Sequence, residues 1–142
     1  MKVYFDASVI IAALLSSTGG SSLLLEYVKV ARIIGISSQT AIDEITTEDK
    51  LQKFGKTRQD IEKFIEESRL LIHEHITQAE IEEYIGLVDV EDAHLIAGAN
   101  LTRCGYLVSL DKKHLIKADI QEKFLPLKIV SPKELLEEII GA

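Results

Sequence analysis

The sequence has few of the residues that would place the chain in a membrane or an oxidising compartment. Its one cysteine, Cys104, excludes an internal disulfide framework and a zinc site built on cysteines. No apolar run approaches the roughly 18 to 20 residues that a membrane span needs. The longest run, residues 7–15, is interrupted by Ser8. The start, MKVYF, has no positive region ahead of an apolar block, so we expect no signal peptide, no membrane contact and a cytoplasmic location.

Several signatures of phosphate chemistry are missing as well. The Gly19-Gly20 loop is not followed by Gly-Lys-Ser/Thr, which excludes a phosphate-binding P-loop. A haloacid-dehalogenase-like phosphatase needs Asp-x-Asp, but the first apolar run is followed by Asp6-Ala7-Ser8. A response-regulator receiver needs paired acids near its first strand, whereas Phe5 precedes a lone Asp6. The sequence therefore excludes these classes of phosphate-handling domain.

The composition is that of one folded domain. Apolar residues make up 46% of the 142 residues and the mean hydropathy is +0.14, which argues against disorder. The sequence contains no repeat, no low-complexity segment and no linker, so we expect residues 1–142 to form a single domain. The net charge of −7 argues against a surface that simply wraps nucleic acid. That objection weakens if some of the acids bind a divalent ion, which inverts the local field.

Short apolar runs alternate with amphipathic segments along the chain. Apolar runs predict strands at residues 2–5, 33–36, 70–72, 106–109 and 129–130. Helical periodicity and capping residues predict helices at residues 8–15, 21–31, from 39, 57–69, 77–87, 93–103 and from 132. Residues 46–49 either interrupt the helix that begins at 39 or cap a continuation that ends near Gly55. This alternation predicts an α/β fold, a three-layer α/β/α sandwich with a central parallel sheet of about five strands.

Four acids stand where strands end or helices begin: Asp6, Glu44, Asp92 and Asp111. Carboxylates at the carboxyl ends of parallel strands converge on one edge of the sheet, where such folds bind ligands. Two unit charges about 5 Å apart repel by roughly 3 kcal/mol at an effective dielectric near 20. A hard cation, Mg²⁺ or Mn²⁺, would relieve that repulsion. The four acids therefore suit metal-assisted phosphodiester hydrolysis.

The chain resembles the PIN domain in blocks that follow the usual order: KVYFDASVIIAAL, SSQTAIDEI, DVEDAHLIAGANLTRCGYLVSLDKKHLI and LKIVSPKELLEEI. The middle segment KFGKTRQDIEKFI is similar to the branch of PIN-family toxins (VapC-like) of toxin–antitoxin systems. The resemblance implies a metal-dependent nuclease, usually acting on RNA, that often forms a homodimer. It also implies that toxin members are silenced by a small antitoxin protein. The family's acidic site maps onto Asp6, Glu44, Asp92 and Asp111.

The chain departs from the family pattern at two positions. The toxin branch usually reads Asp-Pro-Asp-Asp before the third acid, and here the sequence is Asp89-Val90-Glu91-Asp92. The usual Thr-x-x-Asp or Thr-x-Asp after the fourth strand becomes Ser109-Leu110-Asp111. Because Ser109 keeps a hydroxyl, we expect it to support the site as the threonine does.

Some assignments near the acids stay open at the level of sequence. Asp43 points about 100° around the helix from Glu44, and we favour Glu44 as the site residue. Asp89 is more typical of a helix cap than of a metal ligand. Ser8 either orients a ligand water or bonds the backbone at the start of the first helix.

The charged residues around the third and fourth acids are also ambiguous. Lys112, Lys113 and Lys117 either contact substrate phosphates or form an ordinary charged surface. We expect His94 to leave the opposite side of the helix from the third acid and to face the surface or a partner. His114 has no metal-ligand spacing. The sequence favours a metal-dependent ribonuclease, and the alternative is a PIN-like RNA- or protein-binding module with a silent site.

Overall fold

The computed structural model describes residues 1–141, which form a five-stranded, all-parallel sheet with helices on both faces. The strands are β1 (Lys2–Phe5), β2 (Ile34–Ser38), β3 (Leu71–His73), β4 (Tyr106–Val108) and β5 (Lys128–Val130). The helices are α1 (Ala7–Leu15), α2 (Gly20–Lys29), α3 (Gln39–Ile45), α4 (Glu48–Phe54), α5 (Arg58–Ser68), α6 (Gln78–Glu82), α7 (Ala93–Leu101), α8 (Ala118–Lys123) and α9 (Pro132–Gly141). The predicted three-layer α/β/α class is confirmed.

Two helices differ from the sequence prediction. The helix predicted at residues 77–87 is α6, which begins with a capping box between Thr77 and Glu80 and ends at Glu82. The chain then turns through Gly86, whose φ of 87° no helix allows. Helix α8 was not predicted, because its six residues bury only Ile120 and show no clear apolar face.

The strand order β3-β2-β1-β4-β5 places β1 at the centre of the sheet. Val3 and Phe5 pack into one apolar cluster, together with α1, α2 and α5, while Tyr4 packs into the cluster on the opposite face with α7. All three side chains are fully buried, as expected for a central parallel strand covered on both faces. Ile61 and Ile65 of α5 belong to the first cluster, so core packing explains their apolar character.

The chain changes direction across the sheet between β1 and β4. From β1 it proceeds to β2 and β3 on one side and later returns to β4 and β5 on the other. Asp6 N donates to the carbonyl of Val108 at 3.0 Å, and Ser109 N donates to that of Val130 at 3.0 Å. Asp6 and Ser109 therefore lie side by side at the topological switch point, where open α/β sheets bind ligands.

None of the helices within residues 1–141 is by itself long and apolar enough to cross a membrane. Helices α1 and α2 meet that requirement only when taken together, and they are bent by 100° relative to one another. Both contribute side chains to the core beneath the sheet.

Gly98 in α7 allows the helix to lie directly on the ring of Tyr4. A Cβ at position 98 would come within 2.5 Å of Cζ and 2.8 Å of Cε2 of Tyr4. Because the Tyr4 ring is fully buried, we expect Gly98→Ala to lower the free energy of unfolding by about 1–3 kcal/mol through overpacking. Urea denaturation measures this loss. Gly105→Ala is the matched control, since a Cβ there meets no atom within 4 Å, and an equal loss in both variants would contradict the explanation.

Candidate metal centre

Asp6 is the most buried acid of the site, with an exposed fraction of 8%. It follows β1 directly and caps α1, where its Oδ1 accepts from Ser8 N at 3.4 Å. Its Oδ2 accepts from the hydroxyls of Ser109 at 2.7 Å and Ser8 at 3.0 Å. Burial raises the pKa of Asp6, the two hydroxyls oppose that rise, and the charge of Glu44 adds to it. The hydroxyls fix Oδ2 and leave Oδ1 the freer oxygen to bind a cation.

Asp92 lies at the end of a 3₁₀ turn, Val90–Asp92, and at the start of α7. It is half-buried, and desolvation, followed by the charges of Asp111, Asp6 and Asp89, raises its pKa to about 6. The first helical turn offers N–H groups that favour a carboxylate, yet desolvation and the neighbouring acids outweigh that effect. Burial and the neighbouring negative charges thus both disfavour the ionised form of Asp92.

Asp111 and His114 lie three residues apart in the turn that follows β4. Oδ1 of Asp111 accepts from the backbone N–H groups of Lys113 at 3.1 Å and His114 at 2.9 Å. Its Oδ2 lies 3.3 Å from Nδ1 of His114. Potential ligand atoms of Asp92, Asp111 and His114 all lie within 4.8 Å of one another. Sequence reasoning missed His114, although an acid three residues before a histidine is a spacing that a tight turn brings together.

Glu44, rather than Asp43, faces the acidic site. Glu44 and Asp6 line the same cavity, which has a volume of about 790 Å³. Asp43 is engaged elsewhere: its Oδ1 accepts from Gln39 at 2.9 Å, and its Oδ2 lies 2.7 Å from Nε2 of His75. The Gln39 hydrogen bond, followed by the His75 contact, lowers the pKa of Asp43. The preference for Glu44 therefore agrees with the geometry, while its role remains a prediction.

Comparison with known proteins identifies the family. The PIN domain family matches residues 2–113. The chain belongs to the PIN domain family. Its fold is similar to that of a chain in the crystal structure of VapBC2 from Rickettsia felis bound to a DNA fragment from their promoter, with a TM-score of 0.60 and 16% identity over 92% of this chain and 98% of that chain. No curated protein matches the sequence.

The residues of this PIN domain fit the divalent ion that PIN nucleases generally use. Asp92 and Asp111 supply hard oxygen atoms within reach of one another, as Mg²⁺ and Mn²⁺ require. His114 adds an imidazole nitrogen at the same place. The charge of Asp6 contributes to the raised pKa of Asp92, which places its carboxylate close to the same group. A dication bound there would offset the repulsion that contributes to that raised pKa.

The sequence prediction for His94 was wrong. His94 is buried, with an exposed fraction of 7%, and lines the same cavity as Asp6 and Glu44. The prediction assumed that Asp92 and His94 belong to the same ideal α-helix. Asp92 belongs to the preceding 3₁₀ turn and has φ of −101° and ψ of −8°, so the helical angle does not apply between the two residues.

The remaining predicted residues surround the PIN site without entering it. Asp89 caps the 3₁₀ turn, because its Oδ1 accepts from Glu91 N at 3.1 Å, which agrees with the preferred capping role. Lys112 lines a different groove, of about 680 Å³, between α2 and α9. Lys117 is the residue before α8, and substrate contacts by these lysines remain predictions. Lys50 lines the acidic cavity, and sequence reasoning missed it because nothing in its local pattern sets it apart.

Ser109 links two acids of the site through one hydroxyl. Its Oγ donates to Asp6 and accepts from Asp111 N at 3.0 Å. We expect Ser109→Ala to weaken Mn²⁺ binding about 10- to 100-fold, the usual cost of removing a group that orients a metal ligand. Isothermal titration calorimetry measures this effect. The control is Ser17→Ala, which changes an exposed serine in the turn between α1 and α2, and an unchanged dissociation constant in Ser109→Ala would remove the hydroxyl from the site.

Proposed function

We propose that this PIN domain is an Mg²⁺- or Mn²⁺-dependent endoribonuclease that hydrolyses RNA phosphodiester bonds as a single domain, residues 1–142, in the cytoplasm. The observation that carries the proposal is geometric: potential ligand atoms of Asp92, Asp111 and His114 lie within 4.8 Å of one another, and the Ser109 hydroxyl links Asp111 to Asp6 at the switch point of the sheet. Uncompensated acids cost stability. Their retention in one place is typical of a site that binds a cation for catalysis.

Asp92, Asp111 and His114 would hold the metal ion, and Asp6 would bind it or its water ligands from the side of β1. A divalent ion in this position supplies Lewis-acid catalysis and lowers the pKa of water. The Ser8 and Ser109 hydroxyls keep the Asp6 carboxylate in one orientation. Such preorganisation stabilises a transition state because the groups do not have to reorient during the reaction.

Glu44 of α3 completes the set, since it lines the same cavity as Asp6. It either binds the ion or accepts a proton from the attacking water at a carboxylate oxygen, since it faces the cavity beside Asp6. Lys50 lines the same cavity and offers a positive charge to a substrate phosphate. Lys112, Lys113 and Lys117 follow Asp111 and are proposed to contact phosphates farther along the RNA.

The proposal extends to a toxin that an antitoxin protein silences and that forms a homodimer. Two observations support it: the middle segment is similar to the toxin branch of PIN proteins, and the fold is similar to a chain in a VapBC2 structure. Induced expression of the chain in a bacterial host tests this part. We expect growth arrest that Asp6→Asn abolishes, and unimpeded growth with the active protein would favour a housekeeping nuclease.

Cleavage of RNA tests the activity itself. The substrates are a mixed-sequence single-stranded RNA, total cellular RNA and a single-stranded DNA of the same sequence, each with EDTA, Mg²⁺ or Mn²⁺. We expect metal-dependent cleavage of RNA by the wild-type protein and none by Asp6→Asn. Equal cleavage by both proteins would indicate a contaminating nuclease. Metal binding without cleavage of either RNA would favour the alternative, a PIN-like binding module with a silent site.

A further inference from the structure

His94 is buried at the wall of the acidic cavity, and its ring has no hydrogen-bond partner. Its side chain is 8% exposed, and within residues 1–141 neither Nδ1 nor Nε2 makes a hydrogen bond. Nε2 nevertheless lies 3.2 Å from Oε1 of Glu44. The distance suits a charge-assisted hydrogen bond, but the two groups are not aligned for one. A buried ring without a partner costs stability, so a role at the cavity would explain its position.

Glu44 needs a partner to stay at the cavity. Its side chain is 48% exposed and belongs to the last turns of α3. The charge of Glu44 contributes to the raised pKa of Asp6, so the two carboxylates repel each other. A glutamate that is repelled on one side and solvated on the other has many rotamers available. Among the described residues, His94 is the one basic side chain within ion-pair distance of Glu44.

His94 is well suited to restrain that side chain. It occupies the first turn of α7 between Ala93 and Leu95, which are 0% and 1% exposed. A ring held in such packing has little rotamer freedom, and it therefore gives Glu44 a fixed point of attachment. Because Oε1 already lies 3.2 Å from Nε2, the contact lacks alignment and not proximity.

We propose that His94 is a positioning residue that donates Nε2–H to Glu44 and holds its carboxylate over the acidic cavity beside Asp6. This inference rests on the proposed ribonuclease function and extends it to the residue that orients Glu44. His94 does not contact the reacting atoms. Its effect on cleavage passes through Glu44, so removing Glu44 must also remove the effect of changing His94.

Substitutions at position 94 separate the hydrogen-bond donor from the volume of the ring. We expect His94→Leu, which keeps bulk and removes the donor, to lower kcat for RNA cleavage about 10- to 100-fold with KM within about twofold, as for other groups that orient catalytic side chains. His94→Gln restores an N–H donor at similar reach and should recover most of kcat. In a Glu44→Ala background, His94→Leu should change kcat less than about threefold.

Two results would overturn the inference. One is an equal loss of kcat in His94→Gln and His94→Leu with both proteins folded, because the donor would then be irrelevant. The other is a loss from His94→Leu that is as large in the Glu44→Ala background as in the wild-type protein. Should His94→Leu fail to fold, His94→Met replaces it with the same expectations.

Thermal melting tests whether His94 and Glu44 interact, independently of RNA cleavage. The change in Tm caused by His94→Leu should differ by at least about 2 °C between the wild-type and Glu44→Ala backgrounds, since coupled residues are not additive. Identical changes in Tm would overturn the contact. Unequal changes in Tm in a protein that cleaves no RNA would reject the proposed function and support the contact.

Discussion

Asp92→Asn is expected to abolish RNA cleavage and, at the same time, to stabilise the protein in the absence of metal. The substitution removes one metal ligand, and a bound ion contributes several kcal/mol of transition-state stabilisation. Cleavage should therefore fall at least about 100-fold. The gain in stability follows because burial, followed by the charges of Asp111 and Asp6, disfavours ionised Asp92 in the folded protein.

The sign of the stability effect follows from the pKa of Asp92, which lies near 6 in the folded protein against an ordinary value of 3.8. The folded state thus holds the proton more tightly than the unfolded state. Its free energy of unfolding falls as the pH rises from about 4 to about 6, and the loss is complete at pH 7. Asparagine cannot ionise, so it escapes this loss.

We expect the metal-free variant to gain about 1 kcal/mol at pH 7, after discounting the pKa shift for partial exposure. That gain raises Tm by roughly 2–4 °C. Thermal melting in EDTA at pH 4.5 and pH 7 measures it, and the gain should be confined to the higher pH. A variant that loses both activity and stability at pH 7 would indicate that Asp92 is a structural cap, not a site residue held under repulsion.

Saturating Mn²⁺ is expected to raise the Tm of the wild-type protein by roughly 5–10 °C. A ligand at 100 times its dissociation constant stabilises the native state by about 2.7 kcal/mol, and a domain of 142 residues converts each kcal/mol into roughly 2–4 °C. EDTA should reverse the change. The shift should shrink below pH 6, because protonated Asp92 cannot bind the ion.

Variants of the carboxylate ligand and of the imidazole ligand test which residues bind the ion. Asp92→Asn should lose most of the Mn²⁺ shift, and His114→Ala should lose part of it, more for Mn²⁺ than for Mg²⁺ because imidazole suits transition metals. His75→Ala is the matched control, since His75 pairs with Asp43 away from the cavity. An equal shift in wild type and Asp92→Asn would show that Mn²⁺ binds elsewhere.

Much of the fold could be read from local patterns. Strands β1, β2, β4 and β5 appear as short apolar runs, and a central strand buried on both faces has little other way to be encoded. Helix α8 was not predicted because it buries only one side chain, Ile120, and its sequence therefore has no apolar periodicity. The end of α6 was predicted wrongly because a capping box indicates where a helix begins and does not fix its length.

The acidic residues were predicted in the same way. Asp6 and Asp111 follow apolar runs, and Asp92 precedes an alanine-rich helix, so each acid carries a local marker of its place. The carboxyl ends of parallel strands lie at one edge of the sheet. Residues that follow these strands are therefore predicted to lie close together. Glu44 belongs to the set because it lies near the start of a predicted helix, and the resemblance to the PIN domain, whose family match confirms the family, implies the same residue.

The sequence by itself determined the layered parallel fold, the family and the acids at the edge of the sheet. Only the tertiary structure decided which other side chains join them. His94 enters the cavity because a 3₁₀ turn precedes α7, and His114 reaches the acids because a turn folds it back onto Asp111. Apolar periodicity indicates which residues of a single helix or strand are buried. The approach of side chains from different elements depends on turn geometry and helix rotation, and no local pattern records these.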